Sequence, residues 1–450
     1  MKRLLQIPNA RWYLGGQTFS LFGDVALWLA MGIWVKELTG SSGLAGLTFF
    51  FFGLATLLAP LAGLVVDRLR RRPVLIWANL AGAIVVLGLL FVHGRSQVWL
   101  IWLIAFLYGT VYSFLSSAQS GLLVTMLDAD LLGDANGFLQ TVREGLRLFG
   151  PLTGAALFAA FGGGTVAIMD SATFLIAAFA LAFVRVAEER PVPVEQHRWE
   201  EITAGVRHLW RTLVLRQIVV ATALACLVIG FFESIAFAIV SLGLHRAPPF
   251  LGVVIAVQGV GAVGGGVMSA RAVRRFGEGP VVGAGLVMLA GGALFEIFAN
   301  MASVFAGIVI LGASLPLIIV GFMTLLQRRT PNELQGRVSA AADTLTSVPQ
   351  TLSIAVGAAL VSHVDYRYLL VAIAAVVGAA AVYLLTRREQ WVRLPVAQQG
   401  DERTVEPGSE LSKGVLALAA EAERFLPDNA ADRFEAPDGT APAPGTIETR

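Results

Sequence analysis

The sequence has little charge and almost no cysteine. Only 14% of the 450 residues are charged, against roughly 25% in a typical soluble domain, while 56% are hydrophobic. A soluble fold of this length cannot hide that much apolar surface, so the composition excludes an ordinary globular protein. The single cysteine, Cys226, excludes an intramolecular disulfide and a cysteine-rich metal site. The formal net charge of +2 is too small to indicate a nucleic-acid partner.

Long apolar runs are what the sequence has in abundance. A bilayer core about 30 Å thick needs about 20 apolar residues in a helix, and the chain contains twelve such runs, which we number spans 1 to 12. Those without any charge are residues 44–66, 74–92, 98–127, 249–270, 303–326 and 368–385. Those with ionisable residues are 14–35, 135–161, 165–184, 218–244, 280–299 and 338–361. The sequence therefore predicts an all-α membrane protein with twelve transmembrane helices.

Basic residues are distributed unequally between the two sides of the predicted membrane region. An even number of spans places both termini on one side, and most lysines and arginines lie in the connections on that side. The opposite loops hold only Lys36, Arg95, Arg246 and Arg367. The positive-inside rule then places both termini in the cytoplasm. We predict a multi-pass protein of the cell membrane.

The two halves of the membrane region resemble each other weakly. Gly63 and Gly154 recur as Gly266 and Gly357 at the same spacing. Two repeated six-helix halves imply a pseudo-two-fold axis and a binding cavity between them near the membrane midplane. We predict four regions, namely residues 1–184 as the first half, 185–217 as a cytoplasmic linker, 218–386 as the second half, and 387–450 as a cytoplasmic, mostly disordered tail.

The linker and the tail each contain one stretch with apolar residues at helical spacing. In the linker, Val206, Leu209 and Leu213 share one face. This pattern predicts either an amphipathic helix along the inner membrane surface or a solvated linker helix. In the tail, residues 411–426 predict either a helix docked on the membrane or the bundle, or a fraying solvated helix.

The connection between spans 2 and 3 reads Gly63-Leu-Val-Val-Asp67-Arg68-Leu-Arg70-Arg71-Arg72-Pro73. Gly63 permits close helix approach, Asp67 can face a helix amino terminus, and the arginines hold the loop on the cytoplasmic side. Together with twelve spans in two halves, this segment resembles the signature loop of the major facilitator superfamily. Pro73 replaces a residue that is usually not proline there. The resemblance covers about residues 10–390.

Within that superfamily, the chain is similar to the branch that contains bacterial macrolide efflux proteins and the enterobactin exporter. The similarity lies in residues 17–24 of span 1, in the basic run after Asp67, and in residues 331–337 before span 11. The resemblance implies that the loop residues Gly63, Asp67, Arg68, Arg71 and Arg72 form a gate. In the family, the aspartate meets the start of span 11 and helps to lock the outward-facing state. The second half has Ala270 at the position of Asp67, so only the first copy can act in this way.

Span 5 contains Gly150-Pro151-Leu-Thr-Gly154, which resembles the antiporter motif of drug exporters in the superfamily. The match is partial, since Leu146 and Ala155 stand where the motif often has glycines. Pro151 removes a backbone donor and favours a kink, and the glycines are expected to tighten packing between the halves. A purely structural kink fits the same residues.

Ionisable residues inside the spans are functional candidates, because each is costly in hydrocarbon unless it faces a cavity or a partner. Asp24, near mid-depth of span 1, is the first candidate for a protonatable coupling carboxylate, and a structural hydrogen bond to a neighbouring helix is the alternative. Arg143, Glu144 and Arg147 lie on span 5. Glu144 and Arg147 can pair at this spacing, which leaves Arg143 for a substrate or for Asp24.

Three acidic residues of the second half are also of interest. Glu233 stands among phenylalanines, which suits an amphipathic cation, although it can also simply meet outside water. Asp343 is a candidate because span 11 should meet the loop of Asp67. Glu296, at the outer end of span 9, is predicted to be structural. Asp170 of the first half lies near the outer start of span 6.

The sequence lacks the motifs of the common enzyme classes. It has no His-Glu-x-x-His, no nucleophile elbow and no phosphate-cradling loop with lysine. We therefore predict a transporter and not an enzyme, with no cofactor and no metal. We predict a proton-coupled exporter of amphipathic small molecules of the drug or siderophore type, which works by alternating access. A lipid or lysolipid translocator, or an importer, is the alternative. The predicted partners are a small-molecule substrate, protons and membrane lipid, but no nucleic acid, and the chain is expected to be a monomer.

Overall fold

The chain is helical throughout the part that the computed structural model describes, which comprises residues 2–66, 68–127, 129–186, 188, 198–331 and 334–391. Asp67 and the tail stretch 411–426 lie outside these residues. Within them, twelve long helices correspond in order to the twelve predicted spans. They are α1 Pro8–Thr39, α2 Ser42–Val66, α3 Arg71–Phe91, α4 Arg95–Met126, α5 Ala129–Phe161, α6 Gly163–Phe183, α7 Leu213–Gly243, α8 Pro248–Phe276, α9 Glu278–Phe295, α10 Met301–Arg329, α11 Gln335–Leu360 and α12 Tyr366–Leu385.

Ten of these helices are long and apolar enough to cross a membrane, counted over the described residues. The other two, α5 and α11, are as long as their neighbours but more polar. α5 contains Arg143, Glu144 and Arg147, and α11 contains Asp343 among several serines and threonines. A helix tolerates such residues in a membrane when one face borders a polar cavity. The two exceptions therefore indicate where that cavity lies.

Two of the long helices are interrupted. α2 consists of Ser42–Thr56 and Ala59–Val66, because Pro60 has no N–H to donate to the carbonyl four residues earlier. α7 consists of Leu213–Ile229 and Phe232–Ala238, followed by a short wide turn. The break in α7 starts a new helical segment deep inside the bundle.

The helices pair in the same pattern in both halves. In the first half, α1 packs against α5 and α6, α2 packs against α4, and α3 packs against α4 and α6. In the second half, α7 packs against α11 and α12, α8 packs against α10, and α9 packs against α10 and α12. Between the halves, α2 meets α11 and α8 meets α5. This duplicated pattern confirms the pseudo-two-fold architecture expected from the repeated glycines.

Glycines make the closest contacts between the two halves. We call the end of the bundle where the chain enters α1 and leaves α12 the terminal end, and the opposite end the far end. The cross-half contacts in which a glycine leaves no room for a side chain lie between the far end and mid-depth. They include Gly43 with Ala358, Gly46 with Ser234, Gly252 with Pro151, and Gly259 with Leu148. Small residues permit such close backbone approach in a membrane, so the halves are tightly joined at the far end.

A shorter linker helix, Arg198–Arg211, lies at the terminal end between α6 and α7. Gly205 lies against the backbone where α11 begins, and Nε2 of His208 donates to the carbonyl oxygen of Arg329 over 3.1 Å. Leu209 is fully buried and Val206 is partly buried. The helix therefore packs against the start of α11 on part of its apolar face, while Leu213 at the end of that face is 40% exposed. Whether the exposed part meets the membrane surface or water stays a prediction.

The close crossing of α1 and α5 predicts different effects on stability for alanine substitutions at two glycines of α5. A methyl group added at Gly154 would lie only 2.8 Å from Cα of Ala26, whereas one added at Gly145 meets nothing within 4 Å. We expect Gly154→Ala to lower the free energy of unfolding by about 1–3 kcal/mol through overpacking. Gly145→Ala, the control on the same helix, should leave it unchanged or raise it by up to about 1 kcal/mol, because alanine favours a helix. Thermal unfolding of the purified protein in detergent measures both, and equal stability of the two variants would contradict the close crossing.

Candidate functional site

A cavity of about 810 Å³ lies between the two halves and is lined by both. The first half contributes α1, α2, α4 and α5, and the second half contributes α7 to α11. Toward the far end, the glycine contacts hold the halves together. Toward the terminal end, Arg143 and Asp343 line the cavity and are solvent-exposed. The cavity is therefore closed at the far end and open at the terminal end.

The wall of the cavity is mainly apolar and rich in aromatic rings, which are Trp28, Phe49, Phe52, Tyr108, Tyr112, Phe232 and Phe322. The rings of Trp28 and Phe49 pack with their centroids 4.5 Å apart. Charged side chains interrupt this wall at Asp24, Arg143, Arg147, Glu233, Glu296 and Asp343. Of the ionisable residues in the predicted spans, only Glu144 and Asp170 are not part of this lining.

Asp24 lies half-buried at mid-depth of α1, on the cavity wall. The hydroxyl of Tyr108, a buried residue of α4, donates a hydrogen bond to Oδ1 of Asp24 over 2.5 Å. The sequence left two interpretations of this carboxylate open, a coupling group that an arginine of span 5 could approach, or a hydrogen bond to a neighbouring helix. In the described part of the chain, the hydrogen-bond partner of Asp24 is Tyr108.

Asp170 stands directly behind Asp24 and is fully buried on α6. Its Oδ1 lies against Gly23, the residue before Asp24, and 3.3 Å from Oγ1 of Thr173. Its Oδ2 has no hydrogen-bond partner among the described residues. Asp170, Asp24 and Tyr108 are close enough to interact electrostatically. We call these three residues the carboxyl cluster.

Neither Asp170 nor Tyr108 was among the site residues predicted from the sequence. A sequence signal existed for Asp170, because it is the sole ionisable residue in the apolar run 165–184. No such signal existed for Tyr108, which lies in a run without charge. Its role depends on which face of α4 meets α1.

The two arginines of α5 project into the cavity, whereas the glutamate between them does not. Residues 143 and 147 are about one turn apart and share a face, and residue 144 is rotated by about 100°. Glu144 instead accepts a hydrogen bond from Nε2 of Gln140 over 2.8 Å. The predicted Glu144–Arg147 ion pair is absent from the part of the chain that the structure describes.

Glu233 lies in the first turn of the segment that follows the break in α7, where it is half-buried on the cavity wall. Of its neighbouring rings, Phe232 also lines the cavity. Phe231 packs against Gly357 of α11, and Phe237 stacks on Phe49 with centroids 6.1 Å apart. Glu233 therefore shares the cavity wall with Phe232 and with Phe49 of the first half, and its pairing with a cation stays a prediction.

Two further carboxylates complete the second-half wall. Asp343 lies exposed on α11 and lines the cavity, while its predicted proximity to the loop of Asp67 stays a prediction. Glu296, at the end of α9, is only 2% exposed and also lines the cavity. Its position at the end of α9 is the predicted one, and its predicted structural role stays a prediction. The sequence alone did not show that α9 reaches the central cavity.

The arginines of the loop between α2 and α3 bind the first half together. Nη1 of Arg71 donates to Oγ1 of Thr125 near the end of α4, over 3.2 Å. Arg72 donates through Nε to the carbonyl of Leu181 over 3.0 Å, and through Nη2 to that of Ala182 over 2.8 Å, at the end of α6. The carboxylate of Glu188 accepts a hydrogen bond from the backbone N–H of Arg72 over 3.0 Å.

The remaining residues of the predicted gate differ from the expectation or stay untested. A methyl group added at Gly63 would have Oγ of Ser117 as its nearest neighbour, at 3.9 Å. Gly63 therefore does not mark a close helix contact, because a methyl group at this position would make only an ordinary van der Waals contact. Arg68 is exposed. Asp67 lies outside the described residues, so its gating role stays a prediction.

The glycines of the α5 motif pack within the first half. Gly150 lies against Val25 and Gly154 against Ala26, both on α1. The contact with the second half is made from the other side, where Gly252 of α8 lies against Pro151. The expectation that the motif's own glycines tighten packing between the halves is wrong, because the face that carries them is turned toward α1.

The described residues contain no group of three or more His, Cys, Asp or Glu side chains placed to hold a metal ion. A bundle of membrane-spanning helices in two repeated halves, with a partly charged cavity between them, is the architecture of a secondary transporter. The sequence matches the model of the Major Facilitator Superfamily over residues 13–353 and 234–422. The chain belongs to this family of transporters.

Two curated relatives illustrate the range of similarity. The MFS-type transporter YfiS of Bacillus subtilis (strain 168) is 24% identical over 363 residues, which cover 77% of this chain and 85% of the relative. The multi-drug resistance efflux pump PmrA of Streptococcus pneumoniae is 32% identical over 181 residues, which cover 37% of this chain and 43% of PmrA.

Solved transporter structures share the fold. A bacterial homologue of the iron transporter ferroportin in its inward-facing state superposes with a TM-score of 0.68 at 18% identity, covering 87% of this chain and 100% of that one. The same homologue in its outward-facing state gives a TM-score of 0.57, covering 83% and 98%. The peptide transporter PepTSo gives 0.68 at 12% identity, covering 84% and 97%.

The one-sided opening of the cavity predicts different reactivity for two engineered cysteines. In a Cys226→Ala background, Asp343→Cys places a thiol in the open part of the cavity. Ser234→Cys places one at the closed end, where Ser234 is fully buried against Gly46. We expect a hydrophilic maleimide to label position 234 at least about tenfold more slowly, because a buried thiol reacts only after local opening. Equal labelling rates in detergent would show that the far end is not closed.

Proposed function

We propose that this transporter is a proton-coupled exporter of amphipathic small molecules. The observation that supports this proposal best is a cavity, shared by both halves, in which carboxylates stand among aromatic rings and one carboxylate, Asp24, lies near a second, buried one, Asp170. Export by alternating access needs such a central site, which faces one side of the membrane at a time. The proposal includes the predicted domain division and a monomeric protein in the cell membrane.

The direction of the opening fits the loading step of an exporter. With both termini in the cytoplasm, as the basic loops indicate, the terminal end of the bundle faces the cytoplasm. The cavity, open at that end, then receives its cargo from the inside, and the glycine contacts at the far end close it toward the outside. The description of PmrA as a multidrug efflux pump supports export over import.

The lining of the cavity favours an amphipathic cation as cargo. Glu233, Glu296 and Asp343 place negative charge on the second-half wall, opposite the rings of Trp28 and Phe49. A cation gains from both carboxylates and the faces of aromatic rings, and the apolar wall accepts the rest of the molecule. Arg143 and Arg147, near the cytoplasmic opening, can meet an anionic group of the cargo or balance the carboxylates when no cargo is bound.

The carboxyl cluster offers a place for the coupled proton. Asp170 is fully buried, and one of its oxygen atoms has no donor in the described part of the chain. A buried carboxylate oxygen without a donor is costly unless the group holds a proton. Asp24 faces the cavity and accepts a hydrogen bond from the hydroxyl of Tyr108. A cation that approaches Asp24 favours its ionised form, and the departure of the cation favours proton uptake. This competition is the elementary requirement for exchanging a proton for a cation.

A lipid or lysolipid translocator and an importer would use the same fold, so the decisive test follows the direction of movement and the proton together. Everted membrane vesicles with an imposed proton gradient and a pH-sensitive dye serve this purpose, with tetraphenylphosphonium as the lipophilic cation. We expect the cation to be taken up and to discharge the gradient. A susceptibility panel in an efflux-deficient host would then rank other cations and neutral drugs.

The carboxyl cluster predicts the effect of neutral substitutions in that assay. Asp24→Asn should reduce cation-driven proton movement by at least about tenfold, a loss of the size seen when a positioned proton-transfer group is removed. Asp170→Asn should reduce it as well, since the buried carboxyl can no longer exchange its proton. Glu37→Gln, an exposed carboxylate near the far end of α1, is the control and should behave as the unmodified protein. Undiminished coupling in Asp24→Asn would remove this residue from the mechanism.

The aromatic and acidic wall predicts selectivity by charge. Glu233→Gln should raise the KM for tetraphenylphosphonium by on the order of tenfold, because it removes a charge that faces the cation but keeps the shape of the side chain. The KM for a neutral drug found in the susceptibility panel should change by less than about twofold. Parallel loss of both activities would mean that Glu233 supports the structure of α7 and does not select the cargo.

A further inference from the structure

A second cavity, separate from the central one, lies on the outside of the first half at the terminal end. It has a volume of about 790 Å³ and is open along one side. α3 forms one wall with Val74, Trp77 and Ala81, and α4 forms the other with residues that include Phe114. We call this surface the α3–α4 groove. Arg68 and Arg70 stand at its terminal end.

The two arginines of the groove differ from their neighbours in the same loop. Arg71 and Arg72 are engaged with the ends of α4 and α6. Arg68 and Arg70 are exposed, and neither guanidinium has a partner among the described residues. The described lining contains no acidic side chain. The groove therefore offers two unpaired positive charges at one end of an apolar channel.

The length of the groove matches one leaflet of a membrane. Arg70 lies immediately before α3, and Ala81 lies about 16 Å further along this helix at 1.5 Å per residue. Half of a hydrocarbon core about 30 Å thick is about 15 Å. Trp77, which is 71% exposed, lies between the two, about 10 Å beyond Arg70 along the helix, where its ring offers an apolar surface to an acyl chain. A phospholipid site needs positive charge for the headgroup and an apolar wall about as long as one leaflet for the acyl chain, and the groove has both.

We propose that the α3–α4 groove binds one anionic phospholipid. Its phosphate contacts Arg68 and Arg70, and an acyl chain lies along Trp77 and Phe114. This site is independent of the central cavity and of the transported molecule. Because the same loop holds the ends of α4 and α6 through Arg71 and Arg72, the lipid is attached to the rigid first half and not to the contact between the halves.

The test is a lipid titration of the full-length, delipidated protein in detergent, followed by native mass spectrometry. Phosphatidylglycerol, phosphatidylcholine and inorganic phosphate are the probes. We expect one phosphatidylglycerol to bind at least about tenfold more tightly than phosphatidylcholine. Arg68→Gln with Arg70→Gln should weaken it by about thirtyfold, since each basic residue near an anionic headgroup contributes about a fivefold factor. Trp77→Ala should weaken the binding of phosphatidylglycerol as well.

The matched control removes two exposed arginines at the same end of the second half, as Arg271→Gln with Arg274→Gln. This variant loses the same charge but leaves the groove intact, and it should bind phosphatidylglycerol within about twofold of the unmodified protein. Equal loss in both double variants would overturn the proposal, because it would indicate unspecific attraction to a basic face. Displacement of the lipid by inorganic phosphate would overturn it in favour of a free-anion site. Equal binding of phosphatidylcholine would overturn the role of the arginines.

Discussion

Charge inside a membrane is tolerated only where it meets a cavity or a polar partner, and this constraint organises the bundle. Two long helices, α5 and α11, are too polar to count as apolar spans. Both contribute charged residues to the cavity wall, namely Arg143, Arg147 and Asp343. Asp170, which has no access to the cavity, is instead packed behind Asp24. The position of the ionisable groups thus defines both the central cavity and the interior of the first half.

The lipid surroundings also determine how the helices associate. Because hydrocarbon provides no hydrophobic driving force between helices, close backbone packing holds them together instead. Gly46 and Gly252 provide such contacts across the halves at the far end. Contacts of this kind are made and broken without moving large side chains through the interface. Under the proposed mechanism, they permit the halves to separate at the far end when the cavity closes at the terminal end.

Much of the fold could be predicted from the sequence, because hydropathy and repeated glycines are local signals that survive without tertiary information. The site was only partly predictable. Asp24 and Glu233 were identified because charge in an apolar run is conspicuous. Tyr108 was not, since its role depends on the rotation of α4 against α1, which hydropathy does not record. The surroundings of the linker helix were not predictable for a related reason. Its pattern shows that an apolar face exists, but not that part of this face packs against the start of α11.

The arginines of the loop between α2 and α3 form one basic run in the sequence but have different roles in the structure. They all count equally toward the positive-inside rule. In the structure, Arg71 and Arg72 tie the start of α3 to the ends of α4 and α6, while Arg68 and Arg70 face outward. Three helix ends joined by charge-assisted hydrogen bonds resist separate movement. These hydrogen bonds therefore favour movement of the first half as a rigid body, which is what rocking of two halves about a shared cavity requires.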